Sequence, residues 1–202
     1  MLEKLKKLTL NQILPYLLVI TGTIGLFSAS ILMIEKVALL KDPGHVLNCD
    51  INPIIACGAV INTPQASAFG FPNPILGIIG FSVVLVIGMA ILAGAKFQRW
   101  FWLGLQAGVI FGIIFVTWLQ FQTIYRIGAL CPYCMVVWSV MIPLFWYTTL
   151  YNLRNNYLKV PLKLLALKEY LLQHHGDILV LWFLIIIGVI LHHFWYFWQT
   201  LL

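Results

Sequence analysis

Five long apolar runs, separated by polar segments of unequal length, set the pattern of this chain. They run from near Ile13 to near Ile34, Pro74 to Ala95, near Trp100 to near Gln122, Cys131 to near Tyr151, and near Ile178 to Phe197. Each approaches the roughly 20 apolar residues that a helix needs to cross a bilayer. Only helices or closed barrels satisfy the backbone inside lipid, and runs of this length predict helices. The polar segments between them are short, except for residues 36–73, which exceed the usual length of a connection. Within that segment Pro53, Pro64 and Pro72 interrupt the chain, and residues 56–61 are expected to form one short, half-buried helix.

Composition agrees with the pattern. Of 202 residues, 62% are hydrophobic and 9% are charged, against about 25% charged in a typical soluble domain. The net charge of +6 is spread over the ends of the apolar runs, so it reads as a topology signal and not as a nucleic-acid surface. Lys4, Lys6, Lys7, Lys96, Arg99, Arg154, Lys159, Lys163 and Lys168 fall on one side, and Lys36, Lys41 and Arg126 on the other. Lys and Arg in short loops mark the cytoplasmic face, which places the N-terminus inside and the C-terminus outside. A basic start before an apolar run also resembles a signal peptide, but the first run is longer than the roughly 7–15 residues of such a segment.

With this topology all four cysteines of the chain lie at the outer surface. Cys49 and Cys57 sit in the long outer segment, and Cys131-Pro132-Tyr133-Cys134 opens the fourth span. A C-x-x-C at a helix start puts two sulfurs one turn apart. It also gives the first thiol the free N–H groups and positive end of the helix, which favour the thiolate. Pro132 suits the first turn, where no N–H is needed. A pair in a loop beside a pair on a helix is equipment for passing electrons by thiol–disulfide exchange. Two static bridges are the bland alternative, yet a C-x-x-C bridge closes so short a loop that it stabilises little. A zinc site fits poorly with an oxidising exterior.

On these residues the chain resembles the vitamin K epoxide reductase family, in its bacterial style with a fifth span. The resemblance covers most of residues 10–155. It rests on Cys49 and Cys57, on Cys57-Gly58-Ala59-Val60-Ile61-Asn62-Thr63-Pro64 continuing through Phe69-Gly70-Phe71-Pro72-Asn73-Pro74-Ile75-Leu76-Gly77, and on Cys131-Pro132-Tyr133-Cys134. The four-span DsbB type of thiol oxidase carries its C-x-x-C in the first outer loop, the reverse of the order here.

The resemblance implies an all-α membrane protein: a four-helix bundle around a quinone site, within residues 1–155 and including outer loop 36–73, plus residues 156–202 as an inner loop and fifth transmembrane helix. It implies that Cys49 exchanges with a thioredoxin-like (DsbA-like) exported protein, Cys57 with Cys131, and that Cys134 faces a quinone. Ubiquinone, menaquinone and vitamin K-like rings all remain open. Thr63 and Asn73 match polar positions near the thiol and the quinone, and Asn73 is equally readable as a turn residue between two prolines. Trp138 lies one helical turn beyond Cys134, where vertebrate relatives carry Tyr, so epoxide reduction and inhibitor sensitivity are in doubt. Many bacterial relatives continue into a fused thioredoxin-like domain, which is missing here, so a separate partner is expected, in the inner or plasma membrane of a bacterium. No metal is implied. The rival readings are an epoxide or quinone reductase acting mainly on the small molecule, and a membrane scaffold with structural disulfides.

Asp50 is expected to be a solvated loop carboxylate and His45 an ordinary loop histidine. His174 and His175 are expected at the inner interface. Adjacent His192 and His193 point to different sides of a helix and make a poor metal pair. Gln120 and Gln122 face either the bundle or the outer interface.

Overall fold

The computed structural model describes residues 10–199. Lys4, Lys6 and Lys7, used in the charge count, lie outside the described residues. Five helices are long and apolar enough to cross a membrane: α1 (Leu10–Lys41), α3 (Pro74–Leu92), α4 (Arg99–Phe121), α5 (Pro132–Arg154) and α7 (His175–His193). Short helices α2 (Cys57–Ile61), α6 (Leu165–Gln173) and α8 (Trp195–Trp198) complete the set. The expected short helix at 56–61 is α2.

Two boundaries differ from expectation for identifiable reasons. α1 runs on to Lys41, so Lys36 and Lys41 are helical and the outer segment begins at Asp42. Nothing in Leu32–Lys41 breaks a helix, and Pro43 with Gly44 is the first stop. At 32 residues and 1.5 Å per residue, α1 is about 48 Å long and outreaches a hydrocarbon core of about 30 Å. The link expected at 123–130 is instead a continuation of α4 through a wide turn at Gln122–Ile127, closed by Gly128 in the left-handed region at φ 72°. Glycine tolerates that conformation without penalty.

α1 is the spine of the bundle, packing along α3 and α5, while α4 packs along α5. Close approach of α1 and α3 depends on small residues. A Cβ added to Gly22 would stand 2.8 Å from the backbone nitrogen of Leu85, and one on Gly25 would overlap the Phe81 ring. Such glycine-mediated contact is a general means of joining helices in lipid. Between α4 and α5, Gln106 Nε2 donates to Thr149 Oγ1 at 2.9 Å and Asn152 Nδ2 donates to Gln106 Oε1 at 2.8 Å. By contrast, α3 and α4 make little contact among the described residues, and the space between them is open.

α7 stands at the edge of the bundle with most of its apolar surface uncovered, as befits a lipid-facing span. It is fixed at its two ends. Trp146 Nε1 donates to the His175 carbonyl at 2.9 Å, and beyond its other end Phe194 is fully buried. His175 also meets the Tyr147 hydroxyl through Nδ1 at 3.2 Å.

Candidate functional site

The site is assembled from two segments far apart in sequence, joined by one backbone bridge. Leu130 N–H donates to the Ile54 carbonyl at 2.6 Å, and Ala56 N–H donates to the Leu130 carbonyl at 3.0 Å, in parallel register. One residue beyond each bonded position lie Cys57 and Cys131. This register therefore delivers the two cysteines to each other.

Cys57 is the first residue of α2, a helix too short to stand on propensity alone. Its ends are held from outside. Asp50 Oδ1 accepts from Gly58 N–H at 2.8 Å at the N-terminus, and Lys36 Nζ donates to the Ile61 carbonyl at 3.0 Å at the other end. Asp50 is thus a helix cap and not merely a solvated loop carboxylate. Its distance in sequence from Gly58 hid the pairing. Asn52 Oδ1 accepts from the N–H groups of Ile54 and Ile55, which turns the chain into the bridge.

Cys49 and Cys57 form a disulfide, and Cys131 and Cys134 are free thiols. Cys131 is the N-cap of α5: its Sγ accepts from Cys134 N–H at 3.4 Å. Its thiol is held below the ordinary range, first by a hydrogen bond from the Cys134 side chain. The backbone N–H groups of Cys134 and Tyr133 add to this, while burial and the charge of Asp50 oppose it. Cys131 Sγ is 3.4 Å from Cys57 Sγ. That is contact distance for sulfur, so a Cys131 thiolate stands next to a disulfide it can attack, displacing Cys49.

The outer pair is buried in this arrangement. Cys49 is 4% exposed and Cys57 0%, packed with Leu32, Leu47, Ile61 and Cys131.

Below the sulfurs a cavity of about 560 Å³ runs down the open space between α3 and α4. Cys57, Cys131, Cys134, Thr63, Asn73 and Trp138 all border it; Cys49 does not. Its walls are otherwise mainly apolar, with Gly104 and Gly108 of α4 and Gly80 of α3 leaving room where a side chain would intrude. An apolar cavity with a few polar groups at one end fits a flat lipophilic ring.

The Thr63 hydroxyl is engaged locally. The hydroxyl donates to the Val60 carbonyl at 2.7 Å, which also accepts from the Thr63 backbone N–H at 3.2 Å at the end of α2. Asn73 borders the cavity, but its amide also pins the preceding turn. Nδ2 donates to the Gln65 carbonyl at 2.7 Å and Oδ1 accepts from Ala68 N–H at 3.1 Å, leaving one N–H and one lone pair. Trp138 is buried against the cavity, one turn below Cys134. Gln122 also borders the cavity.

Glu35 carried no motif. In the structure it is 5% exposed. Its Oε2 meets His45 Nε2 at 3.1 Å and its Oε1 accepts from Asn48 Nδ2 at 3.3 Å, so His45 is not an ordinary loop histidine. The trace in the sequence was a lone carboxylate near the end of a long apolar run.

A thiol pair in contact with a disulfide, above a lipophilic cavity open between membrane helices, defines a membrane-embedded oxidoreductase. The chain belongs to the vitamin K epoxide reductase family: its family model matches residues 16–149, a range that contains all four cysteines and the cavity. Membership makes a quinone the substrate class. Comparison with the curated proteins gives no match.

Proposed function

We propose that the protein is a thiol–quinone oxidoreductase that supplies disulfides to exported proteins. Electrons enter at Cys49 from a thioredoxin-like protein, cross from Cys57 to Cys131, and leave from Cys134 to a quinone in the cavity. In the inner exchange, reduced Cys57 attacks Cys131 of an oxidised Cys131–Cys134 pair. A Cys57–Cys131 bond forms and Cys134 leaves as thiolate. Cys49 then attacks Cys57, restoring the outer disulfide and releasing Cys131. The Cys131–Cys134 dithiol gives two electrons and two protons to the quinone, yielding quinol and the C-x-x-C disulfide. The protein supplies proximity and thiolate stabilisation.

The observation that carries this reading is the 3.4 Å contact between Cys57 and Cys131 at the head of a cavity that Cys134 also lines. The charge distribution supports an extracytoplasmic placement of the site. For the partner, the test is a Cys57→Ala variant expressed in cells. A disulfide adduct at Cys49 with an exported thioredoxin-like protein, released by dithiothreitol, is expected; its absence contradicts the partner assignment.

A further inference from the structure

Neither the exchange path nor the cavity uses Glu35. A carboxyl group buried at the end of an apolar helix is tolerable only when its oxygens are bonded, and both partners of Glu35 lie in residues 42–48, the arm that leads into Cys49. The next residue of α1, Lys36, holds the Ile61 carbonyl in the other limb of the loop. The end of α1 therefore grips both limbs of the cysteine loop. Leu47, between His45 and Asn48, is buried in the same apolar cluster as Cys49, and Cys49 itself is 4% exposed. An incoming thiolate must strike the sulfur it reduces, and in this arrangement that sulfur is covered.

We propose that Glu35 is a positioning residue that latches arm 42–48 over the Cys49–Cys57 disulfide, so that external thiols reach Cys49 only when the arm is released. The proposal rests on the reading of Cys49 as the entry point for electrons. In the step controlled, a dithiol's thiolate bonds to Cys49 Sγ, the Cys49–Cys57 bond breaks and Cys57 leaves as thiolate. The second thiol of the reductant then closes its own disulfide and releases Cys49. Two electrons and two protons pass to the loop pair.

The test uses the full chain purified in detergent, with dithiothreitol as reductant and quenched alkylation with mass spectrometry as readout. In Glu35→Ala, reduction of the Cys49–Cys57 disulfide is expected to accelerate about tenfold, the order for losing two hydrogen bonds to one buried group. Glu35→Gln keeps the length and one acceptor oxygen and is expected to fall between. Alkylation by N-ethylmaleimide of Cys134, a free thiol that borders the cavity, in protein with the loop disulfide intact, separates a latch from general loosening and is expected to stay at the native rate. An unchanged rate of disulfide reduction in Glu35→Ala overturns the proposal, as does acceleration of Cys134 alkylation in step with it. Failure of the broader functional reading would show separately, as absent quinone turnover in the native chain.

Discussion

Cys131 Sγ lies 3.4 Å from Cys57 Sγ, although the two residues are 74 apart in sequence. Nothing near either cysteine predicts the distance. It follows from the bridge between Ile55 and Leu130, from Asp50 and Lys36 holding the ends of α2, and from Cys131 serving as the N-cap of α5. An exchange-competent pair is thus built by backbone register.

That contact predicts a trapped intermediate. In Cys49→Ala, Cys57 attacks the oxidised C-x-x-C, and with Cys49 gone nothing resolves the product forward; only the displaced Cys134 thiolate can reverse it. A Cys57–Cys131 disulfide, absent from the native chain after the same treatment, is expected to appear after incubation with quinone, detected by peptide mapping under non-reducing conditions. A Cys131–Cys134 disulfide alone, with Cys57 free, would contradict the exchange path.

The lowered thiol of Cys131 predicts a pH profile with a definite sign. A depressed value leaves thiolate present below the ordinary thiol range near about 8.5, so reactivity persists as pH falls and is lost only through the lower folded value. Removing the hydrogen bond from the Cys134 side chain, the largest cause, in Cys134→Ala moves the alkylation profile of Cys131 to higher pH. Asp50 acts in the opposite direction. Asp50→Asn keeps an oxygen for Gly58 N–H but removes the charge, and is expected to move the profile to lower pH. Alkylation rates across pH, followed by mass spectrometry, check both shifts.

Glycines with different surroundings predict different phenotypes. Gly22 abuts the backbone at Leu85, so Gly22→Ala overpacks the α1–α3 contact and is expected to destabilise by about 1–3 kcal/mol. Gly108 borders the cavity, and a Cβ added there would meet open space. Gly108→Leu is expected to fold with near-native thermal stability while raising the KM for quinone several-fold. A thermal melt together with steady-state kinetics separates the two effects.

Much of this was legible in the chain because it depends on local composition. Five spans follow from length and hydropathy, α2 from its position between turn residues, and the four cysteines from their spacing. Cys57, Cys131, Cys134, Thr63, Asn73 and Trp138, singled out from sequence, do border one cavity. What was hidden depends on partners distant in the chain. The overrun of α1 to Lys41 places Glu35 and Lys36 within reach of the loop, and no local pattern encodes that reach. The wide turn at Gln122–Ile127 replaces an expected link because helix propensity persists until Gly128. Thr63 and Asn73 lie beside the cavity, but their bonds go to nearby backbone, since short polar side chains at turns and helix ends bond readily to backbone groups close by.

Electron exit to a quinone through Cys134 is the step on which the proposed function stands or falls. Its most direct test is dithiol-driven quinone reduction by the purified chain in detergent, comparing native protein with Cys134→Ala. Turnover is expected in the native chain and its loss in the variant, with the fold intact. Turnover that survives in Cys134→Ala, or a folded native sample that reduces no quinone, would contradict that exit route.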